Sequence, residues 1–148
     1  MPDTVNFQAP SLIERWFNKI FGALAARGIG LGHNYQLSVV GRKSGKRFST
    51  PVNLTHIDGK NYLVAPRGEA QWVRNVRSSN ELWLKRGSDD AQYVTEEITG
   101  HEKIRVLREY LRRYTTTVQR YFSVQPDSSD SEFETVAHLH PVFQLRKA

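Results

Sequence analysis

YQLSVVGRKSGKRFSTPVNLTHIDGKNYLVAP, residues 35–66, is the stretch on which the fold turns. Tyr35, Leu37 and Val39 alternate with Gln36 and Ser38, the period-two pattern of a strand with one face buried. A glycine-bounded basic loop follows, then a second β-type run from Phe48 to Ile57. Asp58 and Gly59 form a tight hairpin turn, because both tolerate positive φ. The run after them, NYLVAP (61–66), is apolar beyond its first residue and predicts a strand buried on both faces.

Working outward, GEAQWVRNVRSSN (68–80) predicts a short helix with Trp72, Val73 and Val76 inward. ELWLKRG (81–87) and AQYVTEEI (91–98) flank a turn at Ser88–Asp90 and predict another hairpin, with Trp83 in the core. A long amphipathic helix begins near His101. Ile104, Leu107, Leu111, Tyr114 and Val118 form its apolar stripe, and Arg105, Arg108, Arg112 and Arg113 face away. QPDSSDSE (125–132) reads as a polar loop and HPVFQL (140–145) as a short apolar terminus. Upstream, Ser11 and Glu14 make a capping box for an amphipathic helix over residues 11–27, ended by Gly28, Gly30 and Gly32. Five strands, mostly joined by hairpins and flanked by helices, predict an α+β chain: a small antiparallel barrel forming one domain over residues 1–148.

The chain of 148 residues carries a net charge of +6 and a pI near 9.8, which favours acidic partners. It has no cysteine, so disulfides, thiolate metal sites and thiol catalysis are excluded. The N-terminal stretch does not read as a signal peptide and no apolar run approaches membrane-spanning length, so a cytoplasmic protein is expected, with peripheral membrane contact left open.

Arg42, Lys43, Lys46 and Arg47 crowd around Gly41, Ser44 and Gly45. Like charges so close gain nothing unless an anion sits among them. The spacing is one short of a P-loop, with Arg47 where the magnesium-binding hydroxyl belongs. A looser anion site fits: glycines turn backbone N–H groups inward, Ser44 adds a donor, Arg42 grips a phosphate or carboxylate, and Lys43 and Lys46 act as mobile charges. A solvated turn that protects a barrel edge is the competing explanation. Pro51 adds weight to a ligand: inside an alternating strand it marks an edge or bulge, alongside which something other than a neighbouring strand lies.

GRKSGK followed by STPVNL, then YLVAPRGEAQWVRNVR, YLRRY, PDSSD and HPVFQL, resembles the deazaflavin-dependent oxidoreductases, also called the deazaflavin-dependent nitroreductase family. The resemblance implies a split β-barrel of the FMN-binding-like kind, flanked by helices, and coenzyme F420, an 8-hydroxy-5-deazaflavin with a phospholactyl-oligoglutamate tail. It implies that Arg42, Lys43, Ser44 and Lys46 hold the tail and that Thr50, Pro51 and Val52 back the ring. Val64, Ala65, Pro66, Arg67 and Gly68 would form the opposite wall, with Trp72, Arg74 and Asn75 closing the pocket. The implied reaction is hydride transfer from reduced F420 to activated alkenes such as enones and unsaturated lactones, or to nitroaromatics. An FMN- or flavin-binding barrel and a non-enzymatic deazaflavin carrier are the alternatives.

No Ser-His-Asp set or metal cluster is found in the sequence, and no catalytic residue is assigned. Tyr110, Tyr114 and Tyr121 are candidates for a substrate wall or proton source, or else rings that pack helices on the barrel. His138 and His140 read as a chance pair. The cations cluster with glycines before a strand instead of interleaving aromatics, so no nucleic-acid partner is expected. The expected partner is a small electrophilic substrate, and the chain a monomer or homodimer.

Overall fold

The structure, a computed structural model, describes residues 34–148. The amphipathic helix expected over 11–27, with Trp16, Phe17 and the glycines after it, lies outside the described residues. Six strands, β1 (Asn34–Val40), β2 (Arg47–Ile57), β3 (Lys60–Val64), β4 (Glu81–Arg86), β5 (Asp89–Glu97) and β6 (Val142–Lys147), close an antiparallel barrel in the order β1-β2-β3-β6-β5-β4. The sixth strand is the segment expected to be a short apolar terminus. It pairs Phe143 with Leu63 on one side and with Glu97 on the other, so it closes the gap that five strands would leave.

Alternation along each strand sorts the apolar residues into two clusters. Leu37, Val39, Leu54, Leu63, Leu82, Leu84, Phe143 and Leu145 fill the barrel, and Val73 and Val76 of α1 (Gln71–Ser79) join them. Tyr62, Val64 and Val142 point the other way and meet Ile104, Leu107, Tyr110 and Leu111 of α2 (Gly100–Arg113). The expected double burial of the third strand is the result. The turn before it has Asp58 at φ 51 and Gly59 at φ 78, the positive-φ pair its two residues allow. Trp83 is a correction. With Leu82 and Leu84 inward, period two sends it outward, where it stands half-buried with the Arg47 guanidinium 4.4 Å from its ring centre.

The long helix is also shorter than its stripe suggests. α2 ends at Tyr114 (φ −117, ψ 28), and α3 (Thr115–Val118) starts afresh. At the junction the Thr115 hydroxyl donates back to the Leu111 carbonyl at 2.5 Å, a local bond that bends the helix axis. Tyr114 turns its hydroxyl onto the Leu54 carbonyl of the barrel at 2.7 Å.

The polar loop contains a helix that was not expected, α4 (Asp130–Val136). Ser129 accepts from the Glu132 N–H at 3.2 Å and Glu132 accepts from the Ser129 N–H at 3.0 Å, a complete capping box. Arg108 secures the approach by donating to the Pro126 carbonyl, the Ser128 carbonyl and Asp130. The helix exists to bury Phe133, which is fully enclosed. Ser129→Ala should lower stability by about 1 kcal/mol in urea unfolding while leaving the barrel intact. No change in midpoint would mean that burial of Phe133 alone holds the helix. Among the described residues no helix is long and apolar enough to cross a membrane.

Candidate functional site

The basic loop is a closed hairpin end. Gly41 N–H donates to the Lys46 carbonyl at 2.7 Å, Gly45 N–H to the Gly41 carbonyl at 3.0 Å, and Lys46 N–H to Ser44 Oγ at 3.2 Å. Gly45 takes φ 73. A Cβ at Gly41 would lie 2.6 Å from the exposed Phe48 ring and 2.9 Å from Ser44 Oγ, so a side chain there would force both to shift. Ser44 accepts within the loop, so its hydroxyl hydrogen remains to donate outward.

Arg42 is aimed by α1. Its Nη1 donates to Gln71 Oε1 at 3.0 Å and to Asn75 Oδ1 at 2.8 Å, and its backbone N–H also donates to Asn75 Oδ1 at 3.1 Å. Both Nη1 hydrogens are thereby engaged, which leaves the Nε/Nη2 edge as a two-donor fork. Asn75 is buried behind Arg42, as its holder. Arg74 shares the helix face of Gln71 and Asn75. Lys43 and Lys46 are exposed, and no ion pair formed among the described residues neutralises either of them, Arg42 or Arg74.

Beside this loop the barrel wall parts. β2 pairs with β1 from Arg47 to Asn53, but pairs with β3 only from Leu54 onward. β3 leaves at Val64, and the chain then runs through Ala65–Ala70 to α1, so one edge of β2 around Thr50, Pro51 and Val52 has no strand partner among the described residues. Thr50 and Val52 are in register with barrel-facing Leu37 and Tyr35, whereas Pro51 is in register with Gln36 on the outer side. All three are half-buried.

The segment after β3 supplies the facing residues unequally. Val64 packs under α2 and Ala65 into the barrel, both buried. Pro66 and Arg67 are half-buried, with the Arg67 guanidinium 5.5 Å from the Tyr121 ring centre, and Gly68 turns the chain at φ 94. Trp72 leans on Phe143 with ring centres 5.9 Å apart.

The tyrosines separate. Tyr110 is enclosed between Tyr114 and Phe122, and burial pushes its hydroxyl far above the ordinary phenol range. Tyr114 is bound to Leu54, as described. Tyr121, half-buried beside Arg67 and accepting from Arg120 at 2.7 Å, is the one near the facing segment.

His140, one of the chance pair, gains a role only in the fold, because a buried ring gives no local pattern. Its Nδ1–H donates to the Pro66 carbonyl at 2.9 Å, and its ring stacks on Phe122 with centres 3.9 Å apart. Its pKa is lowered to about 4, chiefly by burial, with the Pro66 bond opposing the shift and Lys103 and His138 adding to it. His138 is exposed and sits in a 3-10 turn, and no metal-ligand group of three occurs among the described residues.

A cavity of about 510 Å³ lies elsewhere, between the β2–β3 hairpin (His56, Asp58) and the arginines of α2. It is at the far end of β2, an eleven-residue strand roughly 35 Å long. Its guanidiniums are neutralised within the chain: Arg105 by Asp58, Arg108 by Asp130, and Arg112 and Arg113 both by Glu109.

A ligand with several negative charges and a flat head suits the loop and the parted wall together, since cations without a carboxylate partner among the described residues stand beside a strand edge that is likewise unpaired there. A family model described as F420H(2)-dependent quinone reductase matches residues 17–127. Among solved structures, the F420-H2 dependent reductase FDR-A is 19% identical, with TM-score 0.54 over 79% of this chain and 100% of its own. A protein described as a domain-swapped dimer is 19% identical, with TM-score 0.57 over 90% of this chain and 96% of its own. The heme storage protein HutZ from Vibrio cholerae is 11% identical, with TM-score 0.55 over 78% and 82%. At these identities the solved structures establish the split-barrel fold, and the family model carries the function. The chain belongs to the F420H(2)-dependent quinone reductase family, and is an oxidoreductase whose cofactor is coenzyme F420.

Proposed function

We propose that this chain, working as one split-barrel unit, transfers a hydride from reduced F420 to a flat conjugated electrophile. The acceptor classes are quinones, activated alkenes such as enones and unsaturated lactones, and nitroaromatics. The observation that carries the reading is the juxtaposition of the 41–46 loop cations with the β2 edge at Thr50–Val52, neither of which is paired among the described residues.

Arg42, Lys43, Ser44 and Lys46 hold the anionic tail, with Arg74 adding charge from α1. Thr50, Pro51 and Val52 back the ring. Pro66, Arg67 and Gly68 form the facing wall, which buried Val64 and Ala65 support from behind, while Trp72 closes the barrel side and Asn75 aims Arg42. When bound, a reduced 5-deazaflavin supplies a hydride from carbon and favours two-electron chemistry. The chain's own contribution is to fix the ring, exclude water and present one face to the acceptor. Reduction also needs a proton, supplied by solvent or by Tyr121, whose ring lies beside Arg67 of the facing segment. Such an enzyme works in the cytoplasm, as monomer or homodimer.

A fluorescence titration with F420 and, separately, FMN tests the reading, followed by oxidation of the reduced coenzyme with a quinone, an enone and a nitroaromatic. F420 should bind roughly 100-fold tighter than FMN, the worth of two charge-assisted hydrogen bonds to the tail. Tight FMN binding with no gain from the oligoglutamate tail would establish the flavin-binder alternative. Tight F420 binding with no turnover of any acceptor would establish the carrier.

A further inference from the structure

We propose that His140 is the positioning residue of the coenzyme site, holding the wall 65–70 in place through its bond to the Pro66 carbonyl. The inference rests on the site reading above and deepens it.

The wall has little to hold itself. Its last link to the sheet is the Ala65 N–H donating to the Pro141 carbonyl at 2.8 Å. Beyond it, Pro66 has no N–H to give, and the internal bonds are two: Gly68 N–H to the Ala65 carbonyl at 3.2 Å and Ala70 N–H to the Gly68 carbonyl at 2.8 Å. Both tie the segment to itself, so neither sets where it stands relative to β2.

Contacts outside it do that. The Ala70 carbonyl accepts from the Val73 and Arg74 N–H groups of α1, and the Arg67 guanidinium lies 5.5 Å from the Tyr121 ring centre. Two more contacts hold Glu69 and Pro66. One is Arg77, which ion-pairs with Glu69 and with Glu97, but its side chain is 38% exposed and screened by solvent. The other is His140, 1% exposed. Its ring cannot swing, because it lies stacked on Phe122 at an interplanar angle of 21°. Its backbone is pinned by a bond from its own N–H to the Ala137 carbonyl at 3.1 Å. Adjacent residues thus hook adjacent residues: Pro141 takes Ala65 and His140 takes Pro66. A carbonyl only accepts, so the proton must reside on Nδ1, and a neutral ring suffices. The ring is desolvated, which strengthens the bond, and its loss removes the contact between His140 and the Pro66 carbonyl.

Two variants divide the ring from the donor. His140→Phe keeps the stack on Phe122 and removes the N–H. His140→Asn removes the stack and keeps a donor at the Nδ1 position. With each variant shown to be folded by circular dichroism at the assay temperature, F420 should bind about tenfold more weakly to His140→Phe and within about threefold of wild type to His140→Asn. Wild-type affinity in His140→Phe, or equal weakening in both, overturns the proposal. Should His140→Phe not fold, nitrogen-detected histidine NMR on the unaltered protein decides: the Nδ1–H tautomer supports the hook, and the Nε2–H tautomer removes its donor. Arg42→Ala/Lys43→Ala is titrated in parallel. If that variant binds F420 normally the site reading fails; if it binds weakly while His140→Phe does not, only the present inference fails.

Discussion

Replacing Arg42 and Lys43 together by alanine should weaken F420 binding about 100-fold and leave the barrel standing. Both side chains are exposed, and neither contributes to either apolar cluster. Removing Arg42 does not strand its buried partner, because Asn75 Oδ1 still accepts from the backbone N–H of residue 42 at 3.1 Å. The stability cost is therefore about 1 kcal/mol, the worth of ordinary hydrogen bonds to Gln71 and Asn75. Binding loses far more. A guanidinium fork and an ammonium facing an anionic tail make charge-assisted bonds, together worth about 3 kcal/mol, which is the 100-fold. Calorimetry or fluorescence titration measures the affinity, and urea unfolding the stability. The remaining affinity should also depend less on salt than that of the wild type, since fewer exposed charges are left to screen. An unchanged dissociation constant would move the anchor away from this loop.

Acid should destabilise the fold between pH 6.5 and 4 through His140. The ordinary imidazole pKa is 6.5, and burial holds this one at about 4 in the folded chain. The unfolded chain therefore takes up a proton in that window while the folded chain does not. Stability from this group is complete above pH 6.5 and falls as pH drops, by about 3 kcal/mol on reaching pH 4. His140→Phe lacks the titrating group. Urea unfolding of wild type and variant at pH 7.5, 6 and 5 should give a wild-type curve that declines more steeply, so that the gap between them closes as the solution is acidified. Parallel decline would show that His140 does not titrate in this window and that other groups govern acid unfolding.

Both expectations concern residues of unequal visibility. The loop could be read directly: four cations, two glycines and a serine in seven positions are a local fact, and like-charge repulsion needs no fold to be recognised. His140 could not. Its importance comes from a carbonyl 74 residues earlier in the chain and a ring 18 residues earlier, neither of which any local spacing announces. The role of Asn75 was hidden in the same way, since a buried amide in a helix reads like any polar position until Arg42 is seen reaching it across 33 residues. α4 was different. Ser129 and Glu132 stood in capping-box spacing, a signal obscured by the polar run that contains it.

The amino-acid sequence alone determined the hairpins β1–β2, β2–β3 and β4–β5, the doubly buried β3 and the helix α1. Each rests on periodicity or turn chemistry within a few neighbouring residues, where steric and solvation preferences act without help from the rest of the chain. Tertiary structure decided the rest. It made the C-terminal segment the sixth strand, turned Trp83 outward, withdrew Tyr110 and Tyr114 into the helical packing, and parted β2 from β3 beside the basic loop. These outcomes depend on which strands meet when the barrel closes, and that pairing joins residues far apart in the chain, beyond the reach of any local pattern.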